Sequence, residues 1–267
     1  MSIPFTTVVQ SPPTGRGTAL VIDAAAYARR VILRDGAVPW TDLTQYTNYL
    51  GQIEGLLKPD VRLVDLGAFY ADGLGRRPDL SEAMSARSRT GFALRTLLAD
   101  DALAQNAAEL LSVSAQTSRL PLVVQVPSPL TWLGLTHMQA TGESAADLDT
   151  DDGENASMYY ADWLRRFSTV PVSLLLLDGR PGAVPGLPAE DVTSYTPLHN
   201  ASEHYRWPLG LRTADVTVHG HDLKGVTVPA EYWTEDDVPV PEGDFALAEI
   251  PAEAEPETVL ARLARWQ

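Results

Sequence analysis

Two short runs in this chain are apolar at nearly every position: residues 120–126 (LPLVVQV) and 172–177 (VSLLLL). A strand with one face in water alternates apolar and polar residues. A continuous apolar run needs cover on both faces, the habit of parallel sheets wrapped by helices. Each run stops on turn chemistry, Pro127-Ser128-Pro129 after the first and Asp178-Gly179 after the second. Shorter strand candidates lie at 18–24 (TALVIDA), 61–66, 207–211, 216–219 and 245–250.

Helical patterns fill the intervals. Leu43, Tyr46, Leu50, Ile53 and Leu57 recur every three or four residues before Pro59, which marks one face of a helix. Asp79-Leu-Ser-Glu82 fits a capping box opening a helix to about Leu98, with a restart near Asp100 and an end near Ser114. Tyr159, Trp163 and Phe167 outline another helix over 156–167, and a last one starts at Pro256. The segment 71–78 (ADGLGRRP) reads as a loop, and 147–154 as an acidic loop. Strand and helix alternate without a compositional break, so residues 18–267 read as a single α/β domain behind an extended arm at 1–17, rich in Pro and Gly. A closed (β/α)8 TIM-type barrel needs roughly 250 residues, and six or seven strand candidates leave one or two irregular or missed. An open, doubly wound parallel sheet is the alternative, and the absence of a G-x-G-x-x-G fingerprint after any strand favours the barrel.

Composition narrows the function. With 35 Asp and Glu against 20 Lys and Arg, the net charge is −15. Such a surface repels nucleic-acid phosphate and anionic lipid, so neither is expected as a partner. There is no cysteine, which excludes disulfides, thiolate metal sites and cysteine nucleophiles. No apolar run approaches the ~20 residues of a membrane helix, and the first ten residues lack the pattern of a secretion signal; a cytoplasmic location is the expectation. The signatures of P-loop proteins, α/β-hydrolases and zincins are missing.

In barrels and open parallel sheets ligands bind at the carboxyl ends of the strands. That rule selects Asp65, Gln125, Ser128, Asp178, His219 and Glu249. Asp178 follows a buried strand directly and is the expected general acid or base, with His219 as its partner; an Asp-Gly turn is the plainer reading of the same residues. Gln125, Ser128 and Trp132 are expected to contact substrate, with Asp65 and Glu249 at the rim. Arg76 and Arg77 offer a clamp for a substrate carboxylate, against the plainer reading of a solvated pair. His219 and His221 sit two apart, on one side of an extended strand, and form the candidate metal pair; a surface turn around Gly220 and Asp222 is the plainer reading of the same residues. Asp147–Gly153 fails as a calcium loop, since Asp152 stands at position six where glycine is required. His199, His204 and His137 fit no ligand spacing.

The segment 120–133, LPLVVQVPSPLTWL, resembles the strand followed by Pro-Ser/Gly-Pro-Leu-Thr in the superfamily of cobalamin-independent methionine synthase and uroporphyrinogen decarboxylase. The resemblance implies a (β/α)8 barrel with its site at the strand ends. It departs from those families elsewhere. The zinc site of the methionine synthases needs two cysteines, and the Arg-rich amino-terminal segment of the decarboxylases has no counterpart here. Three functions follow as expectations. The first is a small-molecule enzyme using carboxylate and histidine chemistry, a lyase, decarboxylase or hydratase, without a cofactor. The second is a metal-dependent hydrolase or transferase using His219 and His221 with a divalent ion. The third is a non-catalytic barrel that binds a protein partner or a second copy through an exposed aromatic patch at Trp207, Tyr232 and Trp233.

Overall fold

The computed structural model describes residues 3–266. Eight strands form one sheet: β1 (Ala19–Asp23), β2 (Arg62–Asp65), β3 (Leu122–Pro127), β4 (Val172–Asp178), β5 (Leu209–Arg212), β6 (Val216–Val218), β7 (Lys224–Val228) and β8 (Phe245–Glu249). Their order is β1-β8-β7-β6-β5-β4-β3-β2, with the two ends of the sheet brought face to face in a nearly closed barrel. Every pairing is parallel except those of β6, which runs antiparallel to both β5 and β7.

Strand alternation sorts the side chains into two cores. Val21, Val123, Leu174, Leu176, Val216, Val218, Phe245 and Leu247 point inward and form the barrel interior. Their neighbours Leu20, Ile22, Val64, Val124, Leu175, Leu177 and Ala246 point outward and join the larger core under the helices. This double burial is the physical reason that β3 and β4 read as unbroken apolar runs. The interior is sealed at the amino-terminal end of the strands by helix α1 (Phe5–Gln10), whose Phe5 and Val8 belong to the same cluster. Phe5 meets the Phe245 ring edge-on at 5.0 Å. The extended arm expected at 1–17 therefore contains a helix that plugs the barrel.

The seam between β1 and β2 is not a strand ladder. Asp60 closes it with both backbone and side chain. Its N–H donates to Leu20 O (3.0 Å), and its carboxylate accepts from Leu20 N (2.8 Å) and from the Thr14 N–H and hydroxyl (3.0 and 2.6 Å). Asp60 is fully buried, and an acceptor set of this kind is the condition on which a buried carboxylate persists.

The helical cover begins with α2 (Ala25–Val31), follows the sequence in α3 (Leu43–Leu57), α7 (Asp101–Gln116) and α11 (Pro256–Leu263), and departs from it in three places. Residues 71–78 are mostly helix: α4 (Leu66–Gly75) springs directly from Asp65, whose carboxylate caps it. Asp79 is not a cap, because Pro78 takes the first position of the short α5 (Pro78–Met84), and the expected long helix breaks before α6 (Phe92–Leu98). The acidic stretch 147–154 is largely the first turn of α9 (Thr150–Leu164), closed by a capping box between Asp149 and Asp152, where negative charge suits the helix dipole. β7 escaped the sequence reading.

Candidate functional site

The inward alternation that makes the lower barrel apolar turns polar in its last layer. Asp23, Asp65, Asp178, Arg212 and Glu249 each end a strand, Gln125 stands two residues before the end of β3, and all six sit at the carboxyl-terminal mouth. Asp178 is opposite Arg212 in the β4–β5 register, and Asp23 opposite Glu249 between β1 and β8.

Arg212 organises the layer. Its side chain is 1% exposed. Nη1 donates to Asp23 Oδ2 at 2.9 Å and to Gln125 Oε1 at 3.3 Å, and Nη2 donates to Glu249 Oε2 at 2.6 Å. A second arginine, Arg180, lies just beyond β4. It forks onto Asp178, with Nε to Oδ1 at 2.8 Å and Nη2 to Oδ2 at 2.7 Å, and its Nη1 pairs with Glu249. Four carboxylates thus face two guanidiniums. Asp23, Asp178 and Glu249 are paired; Asp65 has no cationic partner among the described residues. One Asp65 oxygen accepts the Ala68 N–H at 3.0 Å as the cap of α4. Burial pushes this carboxyl up to about 6, and the nearby Asp23 and Asp178 charges push in the same direction.

Two clefts meet at Asp65. One runs along the open upper half of the seam and is lined by Asp23, Trp40, Tyr46, Tyr49 and Ile53. The other, about 390 Å³, lies between α4 and α8 (Pro129–Thr141) and is lined by Tyr70, Leu74, Trp132, Gln139 and Asp178. Its size falls in the range of small-molecule sites.

Beyond Asp178 the chain from 179 to 195 packs over α8 as a strap, with Val184 against Gly134. Glu190 fixes it: Oε1 accepts from the Ser128 and Thr131 hydroxyls at 2.6 and 2.9 Å, and Tyr195 donates to the other oxygen. Ser128 is fully buried, caps α8 through the Thr131 N–H, and accommodates the strap at the same time.

The structure gathers Asp65, Gln125, Asp178 and Glu249 as the strand-end rule predicts, with Trp132 on the adjacent wall; Ser128, fully buried under the strap, lines neither cleft. It does not gather the rest. Because β6 runs antiparallel, its carboxyl end returns to the start of β5, where the His219 N–H donates to Leu209 O (2.8 Å). Asp178 stands at the other end of that register, opposite Arg212. His219 stacks instead on His199 of α10 (Thr196–Tyr205), ring centroids 3.8 Å apart, and burial followed by the second imidazole lowers its proton affinity. His221 is exposed on the following turn. Among the described residues no group of three or more His, Asp or Glu converges as a metal-ligand set, so His219 and His221 gain no further donors. Arg76 and Arg77 sit at the far end of α4, away from the mouth. Arg76 pairs with Asp72, and Arg77 with Asp79 and Asp100; the clamp was an artefact of reading α4 as a loop. Trp207, Tyr232 and Trp233 are 5%, 0% and 0% exposed, so the expected aromatic patch does not exist.

Asp23, Arg180, Arg212, Glu190 and Tyr195 escaped the sequence reading. Asp23 and Arg212 carried a usable signal, since each is the inward, last residue of a short strand. Glu190 and Tyr195 act across 59 or more residues of separation from α8 and have no local signature. No helix among the described residues is long and apolar enough to cross a membrane. Compared with known proteins, the chain matches no family model, no curated protein and no solved structure.

Proposed function

We propose that this chain is an enzyme that moves a proton on a small organic molecule bound at the barrel mouth, in the class of lyases, decarboxylases and hydratases. Asp65 is the proton-transfer group. The observation that carries this reading is its position and charge environment together. It is the one mouth carboxyl without a cationic partner among the described residues, it sits where two clefts join, and its ionisation lies near 6. A general acid or base works best when its proton affinity is close to the working pH. Asp178, forked onto Arg180, holds that arginine at the rim. Gln125 steadies Arg212, and Ser128 anchors the strap. The resemblance of the 120–133 segment to a barrel superfamily with sites at the strand ends supports the same placement.

The test is turnover across a panel of hydroxy acids, amino acids and β-keto acids, followed by Asp65→Asn. Asn still caps α4 but exchanges no proton. The expected outcome is a loss of 10²-fold or more in kcat, with a wild-type acid limb in the pH profile near 6. Unchanged turnover in Asp65→Asn removes the assignment.

A second reading is favoured by a separate observation. Arg180, Arg212, Ser128 and Thr131 are all occupied by carboxylates of the same chain, which suits a barrel that binds without reacting. That reading gives ligand binding with no turnover by any panel member.

A further inference from the structure

Two histidines that the barrel mouth does not use meet under the end of the strap. His199 stands in the first turns of α10 and His219 follows β6, with ring centroids 3.8 Å apart and planes inclined at 49°. His199 is 8% exposed, and its Nε2 lies 2.6 Å from Val192 O in the strap. A carbonyl oxygen only accepts, so Nε2 carries the proton and the neutral ring is left with a bare lone pair at Nδ1. That nitrogen is buried and has no hydrogen-bond partner. The backbone ties the same two segments together, since the His199 N–H donates to Tyr195 O at 3.0 Å.

A buried polar atom without a partner calls for a reason. Here the orphaned Nδ1 is where an added proton would enter His199, and no acceptor stands ready for it. A charge there would also press on the second imidazole, 3.8 Å away. The charged groups facing His219 are Glu203 from α10 and Asp191 from the strap, and both favour its protonated form. Burial and the His199 ring outweigh them. Asp191 keeps its charge in mild acid, because the Thr193 N–H and hydroxyl hold its carboxyl below the usual range. β5 meets His219 through the Leu209 carbonyl, which carries no charge.

We infer that the His199–His219 stack is an acid-sensitive catch that holds the end of the strap. With both rings neutral, His199 pins Val192 and residues 191–195 lie closed. When that end lifts, the rings part, His199 Nδ1 meets water, and both imidazoles take up protons freely. The closed form therefore holds fewer protons than the lifted form below about 6.5, the ordinary histidine value. Closure is fully supported above that pH and is lost as pH falls through it. Each proton that only the lifted form takes up raises its population by up to about ten-fold per pH unit. The catch is independent of the chemistry proposed for Asp65.

The experiment is amide hydrogen exchange of the full chain, read by mass spectrometry at pH 7.5, 6.0 and 5.0. Each rate is divided by the intrinsic rate at that pH, and peptides from β3 and β4 serve as the internal reference. Between pH 7.5 and 5.0 the protection of residues 191–195 falls roughly ten-fold or more while that of β3 and β4 holds. The double variant His199→Gln with His219→Gln loses that fall, since glutamine still offers an N–H to Val192 O and takes up no proton. His219→Phe keeps a ring against His199 and removes part of the fall. Glu203→Gln deletes a charge that favours protonated His219 in the closed form, and so enlarges it. Far-UV circular dichroism and thermal unfolding at pH 7.5 confirm that each variant is folded, and where the double variant is not, His219→Phe and Glu203→Gln decide. Protection of 191–195 that does not change with pH, a fall shared equally by β3 and β4, or an undiminished fall in the histidine variants overturns the assignment.

Discussion

Arg212→Met is the sharpest probe of the barrel mouth. The substitution keeps most of the apolar stem and deletes a guanidinium that is 1% exposed and bridges two acids. Breaking a buried ion pair by removing one partner costs roughly 3–5 kcal/mol, because the other charge is stranded. The two stranded acids differ. Glu249 has a side chain 46% exposed and keeps Arg180, so water and a second cation compensate it. Asp23 is 10% exposed and keeps only the Ala25 N–H at 3.3 Å. The loss is therefore almost all Asp23, which puts the expected cost near the lower bound, about 3 kcal/mol at neutral pH. For a chain of this size that corresponds to a fall in Tm of roughly 6–12 °C. The assay is thermal and urea unfolding at pH 7.5 of Arg212→Met and of the double variant Arg212→Met with Asp23→Asn, which removes the stranded charge and recovers most of the loss. The penalty in the single variant shrinks in acid, as unpaired carboxyls take up protons. A loss below about 1 kcal/mol, or a double variant no more stable than the single one, refutes the reasoning.

Asp65→Asn flattens the pH dependence of stability between about 4 and 6. The folded-state carboxyl is raised to about 6 above an unfolded value of about 3.9, so the native state holds the extra proton in this window and wild-type stability falls as pH rises through it. Urea midpoints from pH 4 to 8 read the difference, on the order of 1–2 kcal/mol after allowance for solvent screening. Glu190→Ala leaves three hydroxyls without their acceptor and costs about 1–3 kcal/mol. Its diagnostic sign is faster limited proteolysis within residues 179–195, and unchanged cleavage there counts against the strap. Two glycines calibrate the packing. An added Cβ at Gly225 lies 2.3 Å from Phe245 Cζ, inside the barrel, so Gly225→Ala destabilises by about 3 kcal/mol or abolishes folding. Gly51, in α3, has nothing within 4 Å of that position, so Gly51→Ala stabilises by about 0.5–1 kcal/mol. Chemical denaturation ranks the pair.

The barrel was legible because its signal is local. Leu122–Pro127 and Val172–Asp178 are apolar at nearly every position, and only burial on both faces permits that. Asp65, Gln125, Asp178 and Glu249 were legible for the same reason, since each lies within two residues of the end of a recognisable strand. What failed depended on direction or distance. Nothing in VTVHGH reveals that β6 runs backwards, and that reversal alone separates His219 from Asp178. The loop reading of 71–78 trusted Gly73, Gly75 and Pro78 as breakers, but the Asp65 cap and the buried face of Phe69, Tyr70 and Leu74 outweigh them. Arg212 was missed by one residue of strand length, and with it the whole logic of the charge layer. Glu190 was unreadable in principle, because two of its three partners, Ser128 and Thr131, lie 62 and 59 residues away and are set by tertiary contact.

The joint at Asp60 has a wider meaning. Seven of the eight junctions around the ring are ladders of backbone hydrogen bonds, and the eighth is a latch made by the backbone and side chain of one residue at its lower edge. A hoop cut at one point yields there first, so amide exchange in β1 and β2 should outpace that in β3 and β4. The aromatic cleft lies along that slack edge, so the gap that weakens the hoop is the one lined by Trp40, Tyr46 and Tyr49.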